Sequence, residues 1–83
     1  MITEIKESID VLASFVKGKL RPSAFYWQGK KYQIYKVLGA YHDTKGKFRR
    51  YFYAVQAGTD DIYEVCLDTE NMQWQLIRIH YEG

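Results

Sequence analysis

The sequence predicts an all-β domain, a six-stranded antiparallel meander strongly twisted or rolled into a partial barrel, and three observations point there. Aromatic residues make up 17% of the 83-residue chain, eight of them Tyr, and aromatic and β-branched side chains suit a pleated surface. From Ile9 onward, apolar runs are broken at short, regular intervals by turn-like segments, the spacing of a meander. The chain has one proline, Pro22, and no repeat, linker or low-complexity tract, so residues 1–83 read as a single domain.

Taken in order, strands are expected near 9–16, 20–28, 31–41, 48–56, 61–68 and 73–80. The first is the least determined by pattern. Ile2, Ile5, Ile9, Leu12 and Val16 recur at three- and four-residue spacing, which fits an amphipathic helix over about 3–16 and would make the fold α+β. Ile9, Val11, Ala13 and Phe15 fit a strand equally well, and β-branched content with a Lys17-Gly18-Lys19 turn favours the strand, with a frayed or helical lead-in. The second and third strands form the clearest hairpin, in which a Gly29-Lys30 turn would pair Trp27 with Tyr32 and Phe25 with Ile34. The loops 43–47 and 57–60 flank a fourth, Tyr-rich strand. The polar turn Asp68-Thr69-Glu70-Asn71-Met72 sets Leu67 opposite Trp74 and Val65 opposite Leu76. The expected core is therefore Phe25, Trp27, Ile34, Leu38, Val65, Leu67, Trp74 and Leu76. A flat sheet of these strands would leave Trp and Leu in water, so the sheet must curl, be covered, or pair with a second copy.

Size and composition exclude several classes of function. A chain of this length buries roughly 60% of its unfolded surface and has little room for an internal active-site cavity. One cysteine, Cys66, forbids an internal disulfide, and neither a signal peptide nor an apolar run near 18 residues is present, so a cytoplasmic location without membrane insertion is expected. His42, His80 and Cys66 lack metal-ligand spacing, and no Gly-rich phosphate loop or Ser/His/Asp set occurs. No cofactor, metal or enzymatic activity is expected. Asp60, Asp61, Asp68 and Glu70 are turn acids, explained by bonds to their own backbone.

Charge is distributed unevenly. Residues 17–50 hold ten basic side chains against one acid, Asp43, for a net +9, whereas residues 51–83 carry −5 and residues 1–16 carry −2. Lys19, Arg21, Lys30, Lys31, Lys36, Arg49 and Arg50 are interleaved with Tyr26 and Tyr35, which alternate away from Trp27 and Ile34. Phosphates need cations and unstacked bases need flat π faces, so this set is a candidate single-stranded nucleic-acid platform. The competing reading pairs the same cations with acids on neighbouring strands.

The order Arg21-Pro22-x-x-Phe25-x-Trp27-x-Gly29-Lys30-x-Tyr32-x-Ile34-x-x-Val37, then a Tyr-rich strand, Ile62-Tyr63-Glu64-Val65, and a polar turn into Trp74-x-Leu76, resembles a family of small bacterial domains of unknown function. The resemblance covers about residues 9–80, and its most specific part is the Pro-x-x-Phe-x-Trp-x-Gly block. Tyr41 stands where the family tends to have Trp, and Ala54 where it often has Arg. Some members are encoded near DNA-repair polymerases, which implies a place beside nucleic-acid enzymes. The resemblance supplies no catalytic or metal residues and supports the fold alone. The function expected from the whole sequence is non-enzymatic binding: a protein-interaction or accessory module acting on an unknown protein or on a second copy, or alternatively a single-stranded nucleic-acid binder.

Overall fold

The computed structural model describes residues 1–82, and all its regular structure is strand. The six strands are β1 (Ile2–Val16), β2 (Lys19–Trp27), β3 (Lys30–Lys45), β4 (Phe48–Ala57), β5 (Ile62–Asp68) and β6 (Gln73–His80). Each pairs antiparallel with the next, and β1 pairs with β6 to complete a ring of hydrogen bonds. Two long strands make closure possible by changing partners along their length. The first half of β1 pairs with β6 and the second half with β2. Likewise β3 pairs with β2 over Lys30–Gln33 and with β4 from Ile34 onward.

The N-terminal segment is strand from Ile2, with no helical lead-in. Its apolar stripe skips Glu7, which lies between Ile5 and Ile9 and accepts a hydrogen bond from the Trp27 indole N–H at 3.1 Å. That polar insertion produces the four-residue spacing that mimics a helix.

The β2–β3 turn is Gln28-Gly29, not Gly29-Lys30, so Phe25 faces Tyr32 and Trp27 faces Lys30. Both central residues have positive φ, 51° and 73°. A type I′ turn needs this and favours Gly in second place. The register is displaced by two residues, and a two-residue slip leaves every side chain on its own face. Phe25 and Trp27 therefore still point inward. The β5–β6 hairpin has the expected register, Leu67↔Trp74 and Val65↔Leu76. Its loop is braced by the Glu70 and Gln73 amides donating to the carboxylate of Asp68 and the side-chain carbonyl of Asn71.

The interior is built on Phe25, Val55, Val65, Leu76 and Ile79, all fully buried, with Tyr53, Tyr63 and Ile9. Trp27, Ile34 and Trp74 pack against this centre from partly exposed positions. Phe25 stacks on Tyr32 at 4.9 Å and meets Tyr63 edge-on at 5.3 Å, the offset and T-shaped geometries that aromatic rings favour. Leu38 is a correction to the expected core, being 44% exposed. Between Ile34 and Gly39, β3 runs two residues longer than β4, leaving Tyr35 and Leu38 as the extra residues of two bulges. A bulge shifts the alternation by one, so Val37 takes the inward position opposite Val55 and Leu38 is turned out.

Candidate functional site: a basic groove at an open seam

The bulges at Tyr35 and Leu38 shape the surface as well as the core. Bulges bend a strand and increase its twist, and beyond them β3 follows β4 away from β2. The β2–β3 ladder consequently ends at Ala24↔Gln33. At that point the Gln33 side-chain amide donates to the Ser23 carbonyl at 3.0 Å, capping the last turned-out acceptor of the joined seam. Past it, Lys19–Ser23 is paired only with β1, and Lys36–Lys45 only with β4.

A groove of about 480 Å³ occupies the gap. Its floor is apolar, made by Leu20, Pro22, Val37, Ala40 and Tyr53, and Lys17, Lys19 and Arg21 stand along one wall. Tyr53 links floor to wall by donating its hydroxyl to the Leu20 carbonyl at 3.4 Å. Burial pushes the Tyr53 phenol above the usual tyrosine range, with a smaller contribution from Tyr51. The groove continues into a shallower depression where Arg21 meets Tyr35 and Lys36. Among the described residues, no acid lines either part.

The nine residues singled out from the sequence are divided among several places. Lys19 and Arg21 flank the groove, and Arg21, Tyr35 and Lys36 share its extension. Tyr35 donates its hydroxyl to the Thr59 carbonyl at 2.9 Å and to Asp60 at 3.4 Å. Desolvation, then the Asp60 charge, raises its pKa. Tyr26 lies apart, in a depression shared with Glu7 and Asp10, and Lys30 and Lys31 are at the β2–β3 turn opposite Trp27 and Tyr26.

Arg49 is exposed, and its carbonyl accepts from the Thr69 hydroxyl at 2.7 Å. Arg50 donates from Nε to Asp43 at 2.8 Å in a two-pronged pair and lies over the Phe52 ring. Cross-strand pairing thus accounts for Arg50. Lys45 is similarly placed 3.6 Å from Asp68.

Sequence reasoning missed Lys17 and the apolar floor of the groove. The alternation Lys17, Lys19, Arg21 was a visible signal for the wall. The floor depends on the bulged register of β3, which has no comparable signature.

Other chemically able groups are occupied or muffled. Arg78 donates to Glu4 at 2.8 Å and also to Glu64, while His80 lies 3.1 Å from Glu64, tying β1, β5 and β6 together on the outer face. Cys66 is unpaired and 5% exposed, and burial raises its thiol to about 11, far from a reactive thiolate. Among the described residues, no group of three or more His, Cys, Asp or Glu side chains is arranged to hold a metal. Nor is any helix there long and apolar enough to cross a membrane.

A family model for a domain of unknown function, DUF6504, matches residues 1–81. The chain belongs to that family. No curated protein and no solved structure matches it.

Proposed function

We propose that this DUF6504 domain is a non-enzymatic protein-interaction module that receives an extended, acidic segment of a partner protein in the groove between β2 and β3. One observation carries the reading: the seam opens between two strand stretches that lack a partner on that side, over an apolar floor and beside cations uncompensated by any lining acid. Unpaired strand edges offer main-chain donors and acceptors to an added strand, and pockets for alternate side chains supply selectivity. Lys17, Lys19, Arg21 and Lys36 favour a segment that brings carboxylates, and they steer it before contact. The free, buried thiol of Cys66 suits the reducing cytoplasm of a bacterial cell.

A second reading rests on the same cations. Single-stranded nucleic acid could follow Lys19, Arg21 and Lys36 with Tyr35 as a stacking face. It is the weaker reading because Tyr26, Lys30 and Lys31 lie elsewhere and Arg50 is held by Asp43.

Fluorescence anisotropy separates the two. The probes are a labelled ten-residue peptide alternating Val with Glu and a labelled oligothymidylate, each titrated at low and moderate salt. The peptide is expected to bind and to retain part of its affinity as salt rises, since main-chain and apolar contacts survive screening. Tight oligothymidylate binding that collapses steeply with salt, with no peptide binding, would reverse the assignment.

A further inference from the structure

The groove does not end where β2 turns back into β1. Lys19, Leu20, Ala40 and Tyr53 also line a second cavity of about 440 Å³ at that end of the barrel, whose inner wall is Tyr51 and Leu67. The interior is left unfilled here for a local reason. β3 presents only Ala40 opposite Tyr53, and the turn at Lys17-Gly18 contributes no bulk. Around the opening stand Phe15, 77% exposed, and Met72, 65% exposed. Apolar side chains with so much surface in water form a rim without a lid.

From this continuity we infer that the bound partner segment anchors itself with one bulky aromatic side chain placed in the open mouth of the barrel, next to a carboxylate that meets Lys19. The inference rests on the peptide reading above and names what that peptide must contain. Both halves of the recognition are present at adjoining positions: the lysine belongs to the groove and to the mouth alike. The cavity volume lies within the roughly 300–1,000 Å³ of ligand pockets. Aromatic anchors in such pockets dominate many interfaces, because they bury a large rigid surface at small entropic cost.

The test compares three probes: the Val/Glu ten-residue peptide, the same peptide with one central Phe, and indole alone. The Phe peptide is expected to bind at least about tenfold tighter than the all-Val peptide, from the extra apolar area buried. Phe15→Ser combined with Met72→Ser, at rim positions that line the mouth and not the groove, should sharply reduce that difference while leaving the salt-sensitive binding common to both peptides. Both side chains are exposed, so the pair of changes should leave folding intact. Equal affinities of the two peptides for the unmodified domain would overturn the anchor and leave the groove reading standing. Failure of both peptides at low salt would instead overturn the groove reading itself. Indole binding as tightly as the Phe peptide would mark the mouth as a small-molecule site and likewise overturn the anchor.

Discussion

The two ends of this barrel put inward-facing side chains to different uses. At the end where β2 stays joined to β3, beside the first half of β1, the interior closes on Phe25, Val55, Val65, Leu76 and Ile79, which have no solvent contact. At the other end, where β2 and β3 part, the inward positions hold Leu20, Val37 and Ala40, and a groove remains. The strands at both ends come from the same meander and the same alternation of residues. What separates them is backbone register: the two bulges in β3 bend it away from β2. In a domain this small, where total stability is roughly 4–12 kcal/mol by size alone, concentrating the packing at one end leaves the other available for a partner.

The largest expected effect lies in the filled end. Phe25→Ala removes the ring that stacks on Tyr32 and meets Tyr63, and large-to-small changes of that kind cost about 3–5 kcal/mol. Urea denaturation followed by circular dichroism should show a large part of the domain's stability lost. Val37→Ser, at the open end, should cost less than about 1 kcal/mol, because Val37 is already exposed. Comparable losses from the two variants would erase the contrast between the ends.

Charge reversal in the groove comes next and acts on binding, not folding. Lys19→Glu combined with Lys36→Glu should weaken the acidic peptide by about tenfold or more at low salt, where each reversed charge repels a carboxylate. The midpoint of unfolding should move by no more than about 0.5 kcal/mol, as is usual for exposed substitutions. Lys30→Glu with Lys31→Glu, at the β2–β3 turn, provides the matched control, and peptide affinity should hardly change. If the two pairs behave alike, the groove has no privileged part in binding.

These contrasts also mark how far the fold and site could be read from the residues alone. Strand number, order and the β5–β6 register were legible because polar turn residues and alternating apolar residues each carry a local signal. The β2–β3 turn lies one residue earlier than expected, and the register two, because Gly29 fits either centre position of a tight turn and only the backbone decides which. Leu38 was placed in the core by extrapolating alternation through Tyr35 and Leu38, where the bulges interrupt it. The site suffered more than the fold for the same reason. A linear run of cations between Lys17 and Arg50 looks like one platform, yet antiparallel folding separates Lys30 and Lys31 from Arg50 and brings Asp43 and Asp68 to either side of Arg50.

A smaller effect is expected at Cys66, which sits on the outer face beside Phe52 and Gln75. With its thiol raised to about 11 by burial, only about a thousandth of it is ionised at pH 8, and the thiolate is the reacting form. Modification by a soluble disulfide reagent at pH 8 should therefore be slow, track opening of the β4–β5–β6 sheet, and accelerate in Phe25→Ala. Rapid labelling of the unmodified domain would show that β5 opens locally without loss of the core around Phe25.

The smallest effect concerns Asp43 and Arg50, outer-face partners on the β3–β4 hairpin. The Arg50 hydrogen bond, more than its charge, holds the Asp43 carboxyl below the ordinary aspartate range. A carboxylate with a depressed folded-state pKa contributes stability above its unfolded pKa of about 3.9, and that contribution is lost as pH falls through the folded value. Asp43→Asn should therefore lower stability slightly near neutral pH, with the deficit vanishing as acid protonates the Asp43 carboxyl. Both side chains are substantially exposed, so screening keeps the deficit small and salt should shrink it further. Peptide affinity should not respond, because neither residue lines the groove. A loss of binding in Asp43→Asn would mean that the hairpin beyond the bulges, and not only the seam beside them, sets the shape of the open end.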